Sequence, residues 1–175
     1  EEEALVHPAD FEAAIRLALC APRDAGSTRA DVLDMRRLML KEHGRGHMWD
    51  IKRARGGLVE VEFIAQTLQL IHAAAHPDVL EANTQAALSK LMAAGVLAPA
   101  DGEILRQACG LYHRLTQVLR LCVSEAYDPA TSPAGLNRIV AGAAACPAIA
   151  AAESLLADTQ SRVAGLFDRL VGPVN

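Results

Sequence analysis

This sequence predicts an all-α fold, a helical bundle of about six to seven helices. Three observations carry that expectation. Aromatic residues are only 3% of the 175, the long stretches are filled with Ala and Leu, and apolar residues recur at steps of three and four instead of alternating. Sheets draw on β-branched and aromatic side chains, whereas Ala and Leu lead the helix scale. A chain of this length can bury roughly 70% of its unfolded surface, enough for a core of its own.

Taken in order, residues 11–20 read as a helix closed by Pro22, and Ser27 or Thr28 can cap a second over 29–42 that ends at Gly44 and Gly46. A third spans 58–72, and a shorter one over 81–94 stops at Gly95. Pro99 and Asp101 supply a stop and an N-cap for a long amphipathic helix over 101–127, with Ile104, Ala108, Leu111, Leu115, Val118 and Cys122 on its apolar stripe. Residues 133–145 form another before Pro147. The last, 148–171, carries Ile149, Ala152, Leu156, Val163, Phe167 and Leu170 on one side, with Gly172 and Pro173 where a helix should end. Such short connections suit a bundle. The expected organisation is one helical domain, residues 1–46 leading in from an upstream domain and 47–175 forming a glycine loop and bundle.

Composition narrows the function. Hydrophobic residues are 51% and charged ones 22%, and no apolar run approaches the roughly 20 residues that a membrane span requires. Seventeen basic residues against 21 acidic give a net charge of −4, which argues against nucleic acid as a partner. Cys20, Cys109, Cys122 and Cys146 are widely spaced with no CxxC pair, consistent with a reducing cytoplasm. The chain opens on Glu1 and an acidic run with no secretory pattern, so a piece of a longer cytoplasmic protein is expected.

One segment stands apart. From Trp49 to Phe63 a basic loop with two glycines, Gly56 and Gly57, runs directly into a helix that opens with Glu60 and Glu62. Glycines let the backbone approach a ligand, and helix N-terminal amides attract phosphate, here with Lys52, Arg53 or Arg55 nearby. An ordinary turn explains the same glycines. At about 100° per residue, Glu62 falls in line with Gln66 and Gln69, while Glu60 shares an arc with Phe63, Ile64, Thr67 and Ile71. A carboxylate on an apolar arc needs a partner: a salt bridge or capping contact, or a neighbouring domain's site.

Other candidates are thinner. His72 and His76 have the i, i+4 spacing of a metal pair without further ligands in a known pattern. Asp31, Asp34, Arg36 and Arg37 read as a charged helix face with surface pairing. Ser124 and His113 form no GxSxG elbow, and Cys109 and Cys122 sit at positions that read as packed thiols. No self-contained catalytic set and no metal site is expected.

Asp50-Ile51-Lys52, three residues, then Gly56-Gly57-Leu58-Val59-Glu60-Val61-Glu62-Phe63-Ile64-Ala65-Gln66 closely resembles the signature that follows a nucleotidyltransferase domain in bacterial glutamine synthetase adenylyltransferase, the adenylyl-removing enzyme. Asp31 through Met39 resembles the helix before that loop, and Asn83 through Gly95 and the helix with Tyr112, Arg114 and Leu115 fit downstream. The wording is closer to the C-terminal, adenylylating half. The resemblance implies a polymerase-β-like enzyme that moves AMP from ATP to a tyrosine of glutamine synthetase with Mg2+, under control of PII signal protein and glutamine. The Asp-x-Asp motif of that class is not found here, since Gly26-Ser27 leads into a helical segment. The resemblance therefore implies the helical domain beside the catalytic one, inactive alone, with Lys52, Gly56 and Gly57 as phosphate or nucleotide candidates and Glu60 and Glu62 as support for the neighbouring site. A regulatory module that senses PII protein or glutamine is the alternative, as is the equivalent domain of PII uridylyltransferase.

Overall fold

A computed structural model describes residues 8–44, 46–123 and 125–174. The acidic run and Ser124 lie outside the described residues. Among the described residues seven α-helices follow one another: α1 (Pro8–Leu19), α2 (Ala25–His43), α3 (Leu58–His72), α4 (Thr84–Ala93), α5 (Pro99–Cys122), α6 (Ala134–Ala143) and α7 (Ile149–Leu170), with a 3-10 turn at Pro77–Val79. No strand occurs among the described residues, as the all-α expectation requires.

The middle of the bundle is α3, which touches α2, α4, α5 and α7. Apart from the stripe of Glu62 and Gln66 most of its surface is covered by other helices, and Val61, Ile64, Ala65 and Leu68 are all buried. The 24-residue α5 lies against it and also meets α4, α6 and α7, contributing Leu105, Tyr112 and Leu115 to the core. Leu88 and Leu91 of α4 and Leu156, Val163 and Phe167 of α7 close it. No described helix is long and apolar enough to cross a membrane.

Local chemistry moves several boundaries. The N-cap of α2 is Asp24, whose carboxylate accepts the Ser27 amide at 2.7 Å, so Ser27 and Thr28 lie inside the first turn. Pro99 opens α5 at a position where its missing N–H costs nothing, and Asp101 sits in the first turn instead of capping it. The same helix ends at Cys122, five residues short of expectation, which leaves Cys122 exposed and not packed. Cys109 is buried as expected. The described side chains of α1 add nothing to the core, with Phe11 63% and Leu17 78% exposed.

Candidate functional site: the glycine loop and its buried charges

The loop between α2 and α3 is held down by Trp49, Ile51 and Ala54, all buried, and turned by amides of Arg53 and Ala54 that donate to the Asp50 carbonyl at 3.0 and 2.8 Å. It then passes under α7. Gly56 has φ +72°, and a Cβ there would stand 1.8 Å from the Gln160 carbonyl oxygen. At Gly57 a Cβ would stand 2.6 Å from the Ile51 carbonyl oxygen. Only glycine fits either place.

The amides at the start of α3 are already engaged. Leu58 donates to the Ile51 carbonyl at 2.9 Å and Val59 to that of Lys52 at 3.1 Å. Gly57 donates to the Ala54 carbonyl at 2.9 Å, and Gly56 to Glu60 Oε2 at 3.0 Å. The expectation that Gly56 and Gly57 offer free N–H groups to phosphate oxygens is corrected here, because the loop spends those donors on itself and the glycines serve close packing.

Glu60 is wholly buried, at 0% exposure, and both its oxygens are taken. Arg36 Nε of α2, itself 1% exposed, donates to Oε1 at 2.9 Å. Arg55 Nη1 and the Gly56 amide reach Oε2. Arg36 Nη2 also donates to the Arg53 carbonyl at 3.0 Å. Arg55 lies 5.5 Å over the Phe167 ring and bonds Asp168 and, at 3.2 Å, the Ala164 carbonyl of α7. Tyr112 of α5 donates its hydroxyl to the Gly56 carbonyl at 2.7 Å. Burial, and then the Glu60 charge, push the Tyr112 pKa far up, so the phenol stays protonated and a donor. Two guanidiniums and two carboxylates thus tie α2, the loop, α3 and α7 together, with Tyr112 adding α5.

The partner that Glu60 required is therefore a salt bridge combined with a capping contact, and the carboxylate does not reach outward. Arg36 is corrected from surface face to core, whereas Arg37 and Asp34 do pair at the surface, at 2.9 Å. Arg55 and Arg53 are also occupied, the latter by Asp50 at 3.1 Å. Lys52 is exposed, and Glu62 is half-buried near Cys109, whose thiol pKa is raised chiefly by burial and also by the Glu62 charge. Lys52 and Glu62 remain accessible; Gly56, Gly57 and Glu60 do not. These residues fit no direct magnesium site, since the Glu60 oxygens face guanidiniums, and no group of three or more metal-ligand side chains occurs among the described residues. Sequence reasoning named Arg36 and Tyr112 without their place in this network, and missed Asp168. A signal for Arg36 existed: it falls on the same helical stripe as Val32, Leu33 and Leu40, where a charge implies a buried partner.

The model of the GlnD PII-uridylyltransferase family matches residues 31–170, which takes in α2 from Asp31 onward, the whole loop and α3 to α7. The chain belongs to that family. Among curated relatives of this family member, the bifunctional glutamine synthetase adenylyltransferase/adenylyl-removing enzyme of Rhodopseudomonas palustris strain TIE-1 is 45% identical over 162 residues, 93% of this chain and 16% of that protein. The proteins of the same description from Bradyrhizobium sp. strain BTAi1 and Xanthobacter autotrophicus strain Py2 are 44% and 41% identical over 93% of the chain. The chain spans about a sixth of the length of the curated relatives it matches, with 16% and 17% of those two covered.

Proposed function

We propose that this chain is the helical domain of a glutamine synthetase adenylyltransferase, completing the site that transfers AMP from ATP to a tyrosine of glutamine synthetase and so acting in the control of nitrogen assimilation. The observation that carries this reading is the 45% identity to such an enzyme over 93% of the chain. ATP and Mg2+ belong, in this reading, to a nucleotidyltransferase domain of the same polypeptide and supply the reacting phosphorus and its charge neutralisation.

In-line transfer rests on positioning and electrostatics, and both suit this geometry. The network around Gly56 ties the loop to four helices, α2, α3, α5 and α7. In this reading the exposed Lys52 of that loop meets phosphate oxygens of a neighbouring site, and the half-buried Glu62 of α3 supports it. Glu60 acts by positioning the loop.

The test is AMP incorporation from labelled ATP into glutamine synthetase. The Rhodopseudomonas palustris enzyme would be assayed whole, with its matching segment deleted, and with that segment replaced by this chain. Silence of this chain alone and of the deletion, with activity restored by the replacement, is expected; a folded replacement that stays silent overturns the reading. The family model's own description favours a second reading, the equivalent domain of a PII uridylyltransferase. UMP incorporation into PII protein, restored in a uridylyltransferase carrying this chain while AMP transfer is not, selects it.

A further inference from the structure

A groove of about 580 Å3 lies between the loop and the C-terminal end of α5. Trp49 and Tyr127 form part of its wall and meet edge to face, their ring centroids 4.8 Å apart at 89°. The Tyr127 hydroxyl is spent on Asn137 Oδ1 at 2.6 Å. The Trp49 indole Nε1 is buried and finds no acceptor among the described residues. An orphaned buried donor is costly and calls for an explanation.

The rest of the lining is rich in donors. His47 Nδ1 accepts the Trp49 amide at 3.3 Å, which leaves Nε2 as the donor of the neutral ring. Arg53 is held by Asp50, but Arg120, which also lines the groove, has no carboxylate within 4.0 Å among the described residues. Leu119 and Val123 supply apolar surface, and Glu125 stands on the lining as an opposing charge. A half-open groove of mixed apolar and polar lining, with a few donors in excess of acceptors, suits a small acceptor-rich ligand.

We propose that this groove binds a small oxyanion with a flat apolar body. Its carboxylate or phosphate oxygens pair with Arg120, His47 Nε2 and, after a small shift of the indole, Trp49 Nε1, while the body lies on Leu119 and Val123. Nothing in this assignment depends on adenylyl transfer.

Trp49 is the only tryptophan of the chain, so its fluorescence and its indole N–H resonance report on the groove directly. The 175-residue chain would be titrated with benzoate and with phenyl phosphate, with benzamide as the neutral counterpart and inorganic phosphate as the headgroup without a body. Saturable movement of the indole resonance by benzoate or phenyl phosphate, at about 1 mM, is expected, and whichever of the two binds more tightly identifies the headgroup. Arg120→Gln should weaken that binding by about 5-fold and Glu125→Gln should tighten it, both being exposed positions that leave the fold intact. No saturable shift with either ligand, an equal shift with benzamide, or binding indifferent to Arg120→Gln overturns the proposal. So does saturation by inorganic phosphate as tight as by phenyl phosphate, which would leave no part for the apolar surface.

Discussion

Replacing Glu60 by Gln preserves its shape and removes its charge, which strips Arg36 of its counter-ion. Arg36 is 1% exposed and would keep a full positive charge facing a neutral amide. The amide NH2 would also face either Arg36 or the donor pair of Arg55 and Gly56, so at least one N–H would meet another donor. Breaking a buried ion pair by removing one partner costs about 3–5 kcal/mol. A domain of this size has about 5–15 kcal/mol in all, so the loss is a large share. With a urea slope of about 2 kcal/mol per M, the unfolding midpoint should fall by about 1.5–2.5 M. A paired replacement sharpens the test. Arg36→Met with Glu60→Leu removes both charges together, and exchanging a buried ion pair for apolar side chains is often close to neutral. The double variant should therefore unfold later than either single one, held back by the Gly56 amide, which still loses its acceptor. A Glu60→Gln midpoint within about 0.3 M of the parent, or a double variant whose loss equals the sum of the single losses, would refute the reasoning.

The same geometry bears on other positions. Gly56→Ala must move a Cβ away from the Gln160 carbonyl oxygen 1.8 Å off and strain a φ of +72°, so a loss above about 3 kcal/mol is expected by urea unfolding. Gly142→Ala, with nothing within 4 Å of its Cβ inside α6, should instead raise stability by about 0.5 kcal/mol. His72 has its pKa lowered below 6.5 by burial, then by His76 and Arg29. The unfolded chain takes up that proton first, so this contribution is whole above about 6.5, falls as the pH drops through that value, and levels off below the folded pKa. His72→Gln should flatten the urea midpoint between pH 7.5 and 5.5, and an unchanged slope counts against this assignment. Cys122 is exposed and Cys109 buried with a raised thiol pKa, so iodoacetamide should label Cys122 in the native state and Cys109 only on unfolding. Equal labelling rates would contradict the placement of Cys109.

Most of the fold was legible in the sequence because helix period and breakers act locally. The bounds of α3 match the expectation residue for residue, and its polar and apolar arcs rightly separated Glu62 from Glu60. Boundaries failed where two signals competed. Asp24 preceded Ser27 and Thr28 as a cap, and Pro99 served as a first residue as well as a stop. Within the site, the sequence marked Glu60 as a carboxylate in need of a partner but not which partner, since Arg36 lies on another helix and Arg55 on the preceding loop. The glycines left two readings open for a related reason. A loop that approaches a phosphate and one that slides beneath a helix both demand the absence of a side chain, and only the position of Gln160 distinguishes them.

The short string Gly-Gly-Leu-Val-Glu is therefore one fragment of a longer sentence that the polypeptide addresses to itself. Its grammar includes an arginine 24 positions before the glutamate and a tyrosine hydroxyl 56 positions after the first glycine. A chain that carries the five-letter string without those two distant words should not close its loop in this way, whatever it binds. One that carries all of them announces the clasp even where the rest of its helices have been rewritten.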